Sequence, residues 1–141
     1  MRPIVAKEDK KCLATYSKVE RQYVWTLWDS GSTMTGLTPA FAQVTNIGVF
    51  LLMDPHILQL GTIGSRSIIK YGTEVEVEMA GQRGNIYADI ANFNCYDMIV
   101  GCSTMRVLRM QLDFTTNEIV VNGIWIAAVR VPAPDADSHA C

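Results

Sequence analysis

Alternation of apolar and polar residues predicts that the chain is mostly β. From Val75 to Met79 apolar residues alternate with glutamates, and residues 86–90 alternate again, as in strands with one face in a core and one in water. Residues 13–28 carry aromatic and β-branched side chains on both sides of a polar break at residues 20–22. This pattern is typical of a β-hairpin.

Further strands and turns are expected between and after these segments. Residues 57–60 and 67–79 are strand candidates, residues 81–84 have the glycines of a turn, and residues 98–101 form an apolar run typical of a strand buried on both faces. The last strand pair is expected over the following segments: residues 112–114 and 118–126, joined across residues 115–117.

Two short helices complete the predicted elements. Thr38 is a suitable N-cap with Pro39 at the first helical position, and Asn46 follows closely enough to keep this helix short. Ser103 is the expected N-cap of a second helix that runs through Met110. Together the elements predict a mostly-β fold with a closed or folded sheet and one or two short helices.

Length and composition favour one domain with an apolar character. The chain has 141 residues, the common size of a single domain. Hydrophobic residues make up 49% and charged residues 18%, below the roughly 25% charged residues usual for soluble domains. A surface buried against a partner and a thick core explain this equally well. We expect a flexible N-terminal segment over residues 1–12, the domain over 13–130 and a disordered tail over 131–141.

Charge, cysteines and hydropathy exclude several classes of protein. The formal net charge of −2 argues against a general nucleic-acid binder, and no apolar stretch approaches the length of a membrane span. The four cysteines lack CxxC spacing and neither histidine lies near one, so no metal or cofactor is expected. Residues 1–11 are polar and lack the apolar region of a signal peptide, so an intracellular, cytoplasmic location is the expectation.

The candidate chemistry lies at Asp29-Ser30-Gly31, directly after an apolar strand. An acid at the end of such a strand is costly to bury unless it is hydrogen-bonded or shares a proton. Gly31 permits a tight turn that brings backbone N–H groups toward the carboxylate, and Ser30 offers a hydroxyl that can lock the loop to a neighbour. Alone, this tripeptide is a weak signal, because a capped turn has the same sequence.

Three landmarks around the tripeptide strengthen it. Residues 25–33 (WTLWDSGST) resemble the active-site segment of the retropepsins, the aspartic proteases of retroviruses and LTR retrotransposons. About seventy residues further, residues 96–101 (YDMIVG) resemble the second signature of that family, and residues 60–66 (LGTIGSR) between them resemble its glycine-rich flap. Residues 112–114 (LDF) match the strand that follows in gypsy-type elements.

The resemblance covers residues 13–127 with two departures. Residues 102–105 lack the proline usual after the second signature, and Trp28 is bulkier than the usual aliphatic residue before the aspartate. The resemblance implies the acid protease half-fold, a closed or folded β-barrel that is active as a homodimer, and the protease domain of a gypsy-type Gag-Pol polyprotein. Asp29 is then the catalytic residue.

The resemblance also implies roles for neighbouring residues. Ser30, Gly31 and Ser32 would form the active-site loop, with Ser30 bonded across the two-fold axis, while Ile99 and Val100 would line substrate side-chain pockets. The ordinary alternative for both apolar residues is the core. The flap that contacts substrate would consist of the following residues: Gly61, Thr62, Ile63, Gly64 and Ser65. An ordinary hairpin is its alternative, and a phosphate loop is disfavoured because no lysine or helix follows in the required pattern.

Counting acids defines the expected function. Aspartic protease chemistry needs two carboxylates around one water, one acting as base and one as acid. The chain has one D-S/T-G motif, so two copies would each supply Asp29. The expectation is an aspartic endopeptidase that hydrolyses peptide or polyprotein substrates, with polyprotein processing as its role.

Two other functions remain open at the level of sequence. One is a catalytically weak or inactive retropepsin-like domain that dimerises or binds peptides, and the other is a structural domain for assembly of a polyprotein. The intact Asp29-Ser30-Gly31 motif favours the enzyme. The apolar residues 119–126 would serve dimerisation in every case and do not discriminate.

Overall fold

The computed structural model describes residues 11–59 and 66–132. Within these ranges the chain forms two helices, α1 (Pro39–Thr45) and α2 (Cys102–Val107), and eleven strands. The strands, in chain order, are β1 (Lys11–Val19), β2 (Gln22–Trp28), β3 (Gly36–Leu37), β4 (Phe50–Gln59), β5 (Arg66–Met79), β6 (Gln82–Ile90), β7 (Met98–Val100), β8 (Met110–Asp113), β9 (Glu118–Val121), β10 (Ile124–Ala127) and β11 (Val129–Pro132).

Six of the strands close into a barrel. The larger sheet has the order β11-β1-β2-β7-β3-β6-β5-β4, and β1 pairs again with β5 through Lys18 opposite Glu78 and Val19 opposite Val77. Glu20 reinforces the closure, because its backbone N–H donates to Glu76 O (2.9 Å) and its Oε1 accepts from Glu76 N (2.8 Å). The predicted mostly-β closed fold with two short helices is therefore confirmed.

The core fills the barrel and extends beneath the small sheet β10-β9-β8. Trp28, Leu37, Met98, Val100 and Leu108 are fully buried within the core cluster. The small sheet contributes buried Ile119 and Val121 from β9 to the same cluster. Burying these side chains stabilises the fold at about 25 cal/mol per Å² of apolar surface removed from water.

The hairpin predicted over residues 13–28 is confirmed as β1 and β2. Its turn consists of Glu20 and Arg21, which both have left-handed backbone angles (φ 49° and 67°). Two consecutive residues of this kind match the right-handed twist of the strands and give a tight two-residue turn. The hairpin delivers the end of β2 to the middle of the sheet, beside β7.

The first predicted helix is also confirmed. Thr38 is the N-cap of α1, its side chain accepts a hydrogen bond from Phe41 N (3.2 Å), and Pro39 follows at the first helical position. Asn46 ends the helix in a left-handed conformation, with φ 58°. Phe41 and Ala42 form the buried face of the helix.

The second helix differs from the prediction at both ends. Gly101, not Ser103, is the N-cap of α2, so the helix begins two residues earlier than predicted. At this entry Cys102 N donates to Ser32 O (2.9 Å). The helix ends at Val107, and Arg109 has a left-handed φ of 51° that reverses the chain. Met110 therefore lies in β8, where it pairs with Val121.

The predicted strand over residues 118–126 is wrong as one element. Asn122 and Gly123 have positive φ values of 55° and 74°, and they form a tight turn between β9 and β10. Asn-Gly is the sequence most typical of such a turn. The turn at residues 81–84 is also shorter than predicted, since Ala80 and Gly81 form it and β6 begins at Gln82.

Two strands are longer or additional compared with the expectation. β4 begins at Phe50 instead of residue 57, and a register shift between Leu51 and His56 lets it pass Pro55 at the edge of the sheet. β11 pairs with β1, placing Val129 opposite Ala14. Strand pairing therefore extends two residues beyond each expected boundary of the 13–130 domain, while residues 1–10 and 133–141 lie outside the described residues.

None of the helices in the described part of the chain combines the length and the apolar character that crossing a membrane requires.

Candidate active site

Asp29 follows β2 at the point where this strand and the parallel strand β7 end side by side. Trp28 pairs with Val100, and Asp29 N donates to Val100 O (2.9 Å), which fixes the backbone of Asp29 to β7. Trp28 is fully buried, and its indole Nε1 donates to Thr15 Oγ1 (2.8 Å). The residue before the acid, Trp28, is thus anchored in the core, while the Asp29 side chain is half-buried at the surface.

The predicted active-site loop turns tightly around the carboxylate. Gly31 N donates to Asp29 Oδ1 (3.1 Å), and Ser32 N donates to Asp29 O (3.1 Å). The first bond orients the carboxylate toward its own loop, and the second closes the backbone turn. Ser30 and Gly31 are exposed at the tip of this turn, and Ser32 is half-buried.

The second half of the loop rests on the start of α2. Ser32 O accepts from Cys102 N (2.9 Å), and Thr35 Oγ1 accepts from Gly101 N (3.1 Å). Thr35 Oγ1 also lies 2.7 Å from Thr104 Oγ1. The loop that carries Asp29 is therefore hydrogen-bonded at both ends to the segment that contains the second predicted signature.

Gly101 has a packing reason to be glycine. A Cβ built on it would lie 2.5 Å from Met34 O and 2.7 Å from Ser32 O, both backbone atoms. Real Cβ atoms do not approach backbone oxygens this closely, so any side chain here would push away the loop that carries Asp29.

The structure places the two predicted pocket residues on opposite faces of β7. Val100 is fully buried in the core cluster. Ile99 alternates with Val100, lies beside Leu27 of β2, is 2% exposed and stands outside that cluster. The two side chains therefore cannot have the same environment, and Ile99 lies on the face of β2 and β7 turned away from the core.

The predicted flap lies outside the described residues. It comprises Gly61, Thr62, Ile63, Gly64 and Ser65. Its flanking strands are described: Gln59 at the end of β4 pairs with Arg66 at the start of β5. The segment therefore joins two paired antiparallel strand ends.

Three other aspartates accept hydrogen bonds within the fold. Asp97 Oδ2 accepts from Trp25 N (3.1 Å), Asp113 Oδ1 accepts from Thr115 N (2.9 Å), and Asp89 Oδ1 accepts from Tyr87 Oη (2.6 Å). Burial and the bond to Asp89 raise the pKa of Tyr87 above its ordinary value, so this phenol stays a donor. Among the described residues, no three His, Cys, Asp or Glu side chains are grouped in a way that could hold a metal ion.

The sequence predicted Asp29 and its loop but missed the threonines behind it. Thr35 and Thr104 are 69 positions apart, and neither belongs to a motif that would mark it. Gly101 belongs to the segment that resembles the second signature, so a motif marked this residue and did not mark the hydroxyl pair.

Comparison with known proteins identifies the fold. The chain is similar in structure to the retroviral protease-like domain of Ddi1 from Leishmania major, with a TM-score of 0.60 and 16% identity over 89% of this chain and 97% of that chain. It is also similar to the EIAV protease complexed with the inhibitor HBY-793, with a TM-score of 0.54 and 17% identity over 78% of this chain and 100% of that chain. No family model and no curated protein matches the chain. The chain has a retropepsin-like fold.

Proposed function

We propose that this protein is an aspartic endopeptidase that acts as a homodimer, with Asp29 of each copy supplying one of two catalytic carboxylates. The observation that carries the proposal is the position of Asp29 on a retropepsin-like fold, in a hydrogen-bonded loop after β2. Asp89, Asp97 and Asp113 accept hydrogen bonds from their own fold. Asp29 is the one acid in a D-S/T-G motif, so a second copy must supply the other carboxylate.

The mechanism follows from two carboxylates that share one proton. The ionised Asp29 takes a proton from a water held between the pair, and the water oxygen attacks the carbonyl carbon of the peptide. The protonated Asp29 of the other copy gives its proton to the carbonyl oxygen, which forms a neutral tetrahedral intermediate. The Asp29 that took the water proton then gives it to the amine nitrogen, and the C–N bond breaks. The other Asp29, now ionised, takes a proton from a hydroxyl of the intermediate, so that a carboxylic acid forms, the pair again holds one proton and no covalent enzyme intermediate is needed.

Neighbouring residues have supporting roles in this proposal. The exposed Ser30 hydroxyl bonds across the two-fold axis and joins the two loops. Ile99, which faces away from the core, lines a side-chain pocket, and Val100 supports it from inside. The motif resemblance assigns residues 61–65, which lie outside the described residues, to contact with the substrate. The motif resemblance to gypsy-type elements makes a Gag-Pol polyprotein the proposed substrate.

The test compares wild type, Asp29→Asn and the control Glu74→Gln on a mixed peptide library at pH 4 to 7. Glu74 is exposed on β5, so the control removes one negative charge away from the site. We expect cleavage by wild type and by Glu74→Gln, none by Asp29→Asn, and a rate that rises more steeply than linearly with protein concentration.

Sedimentation of the same samples decides between the enzyme and its alternative. A wild-type dimer that cleaves nothing in the library would contradict the enzyme and establish the dimerising, peptide-binding domain. Cleavage that persists in Asp29→Asn would place the chemistry on other residues.

A further inference from the structure

We propose that Thr35 and Thr104 are positioning residues whose buried hydroxyl pair holds the active-site loop in its catalytic geometry. The inference rests on the proposed function and extends it to two residues that do not contact the substrate. Their Oγ1 atoms lie 2.7 Å apart, and the residues are 5% and 2% exposed. We name this pair, Thr35 and Thr104, the threonine latch.

The threonine latch joins the loop to α2 through a chain of polar contacts. Thr35 Oγ1 accepts a hydrogen bond from Gly101 N (3.1 Å) and forms a second hydrogen bond with Thr104 Oγ1 (2.7 Å). A hydroxyl has one donor and two acceptor positions, so one oxygen can accept the backbone N–H and still bond to the second hydroxyl. Removing either hydroxyl would leave a buried polar group of the pair without this partner, which costs more than the hydrogen bond contributes.

Packing alone does not hold this side of the loop. A cavity of about 480 Å³ lies against it, lined by residues 33–35 of the loop, by Thr104 and Val107 of α2, and by Ile86 of β6. A loop with open space beside it depends on its hydrogen bonds for its position. At the Thr35 end these are the bonds of the threonine latch and the bond from Asp89 N to Thr35 O (2.9 Å), and among the described residues the latch alone joins this end to α2 through side chains.

The consequence for Asp29 follows from the connections between the two ends of the loop. Gly101 and Cys102, which contact Thr35 and Ser32, directly follow Val100, whose carbonyl accepts from Asp29 N. Movement of this junction is therefore transmitted to the acid. A displacement of about 1 Å in catalytic geometry can lower a rate about 100-fold, so even a small shift is measurable.

Thr104→Val tests the proposal, because valine keeps the shape of threonine and replaces its hydroxyl with a methyl group. Ser17→Ala is the matched control: Ser17 Oγ lies 2.8 Å from Thr26 Oγ1 in another buried hydroxyl pair, between β1 and β2. We expect Thr104→Val to lower kcat about tenfold or more with KM nearly unchanged. We expect Thr104→Ser, which keeps the hydroxyl, and Ser17→Ala to retain the wild-type kcat.

Coupling between the two threonines is a second readout. Thr35→Val is expected to reduce kcat like Thr104→Val, and the double variant is expected to add little, because each single change already breaks the same pair. If both variants lose stability but keep the kcat of Ser17→Ala, the threonine latch has a structural role alone and the proposal is overturned. If Thr104→Val does not fold, Thr104→Ala carries the same comparison.

Hydrogen exchange separates failure of this inference from failure of the proposed function. In Thr104→Val, the amides of residues 29–35 are expected to exchange faster than in wild type, while Ser17→Ala leaves them unchanged. This readout does not need catalysis. Unchanged exchange in the loop of Thr104→Val would overturn the threonine latch even if the wild type is an active enzyme. If the wild type cleaves nothing but the loop exchanges faster in Thr104→Val, the hold of the latch on the loop is supported and the proposed enzyme is contradicted.

Discussion

At Gly101 an added side chain would collide with the backbone of the loop that carries Asp29. In Gly101→Ala the new Cβ would meet Met34 O and Ser32 O at 2.5 and 2.7 Å, so the backbone must move. We expect a loss of about 1–3 kcal/mol in the free energy of unfolding, the usual cost of overpacking, together with loss of activity.

Gly48→Ala is the matched control for that change. A Cβ at Gly48 meets nothing within 4 Å, so both alanine substitutions remove the same backbone freedom and only one creates a clash. Urea denaturation of the two variants measures the difference. Equal stability of the two variants would show that the loop yields to the added methyl group without cost.

Tyr87 gives a residue-scale prediction for alkaline pH. Burial, and then the hydrogen bond to Asp89, raise the pKa of Tyr87 above its ordinary value of 10.0. The unfolded chain therefore releases this proton at a lower pH than the folded chain does. The resulting stability is fully present below pH 10.0 and is lost as the pH rises from there toward the folded-state pKa.

Thermal unfolding between pH 8 and 11 tests the contribution of Tyr87. We expect Tyr87→Phe to lose less stability than wild type over the alkaline part of this range, because phenylalanine has no proton to release. Tyr23→Phe serves as the control, since Tyr23 is 69% exposed. A parallel decline of Tyr87→Phe and wild type would contradict the assigned role of Tyr87.

At the scale of elements, the cap of α1 is a local device with a predictable cost. Thr38 Oγ1 accepts from Phe41 N, so Thr38→Ala leaves that N–H without its side-chain partner. We expect a loss of about 1 kcal/mol in the free energy of unfolding, whereas Thr38→Ser keeps the hydroxyl and stays close to wild type. Chemical denaturation measures both. An unchanged Thr38→Ala would mean that water replaces the cap.

Elements set by local chemistry were predictable from sequence, and those set by distant pairing were not. The β1–β2 hairpin follows from aromatic and β-branched residues on both sides of a short polar break, and α1 follows from a Thr-Pro helix start. The early start of β4 depends on pairing with β5, and β11 depends on pairing with β1 across more than a hundred residues. The Asn122-Gly123 turn is a different case, because its local signal was present and was overlooked.

At the scale of the whole molecule, some parts of the candidate site could be predicted from the sequence and others could not. The acid and its glycine turn are contiguous in sequence, so a motif can predict them. The threonine latch and the closure of the barrel by β1 and β5 join residues that the fold alone brings together. The fold also places Val100 in the core and Ile99 on the opposite face of β7, a difference that a continuous apolar run in the sequence does not predict.

Mixing wild type with Asp29→Asn tests whether one active site needs two chains. In the proposed dimer, a mixed pair has one Asp29 and is inactive, so the variant acts as an inhibitor. If wild type is held constant and an equal amount of Asp29→Asn exchanges freely with it, random pairing lowers the activity to about half. A threefold excess lowers it to about one quarter by the same counting.

The control for this titration is an equal amount of an inert protein, which must leave the rate unchanged. Both samples are diluted until dimers dissociate and then concentrated, so that chains exchange before the assay. Activity that stays constant at every ratio, with exchange verified by a mass-tagged variant, would show that one chain carries a complete site. A decline that follows random pairing would assign one Asp29 to each half of a shared active site.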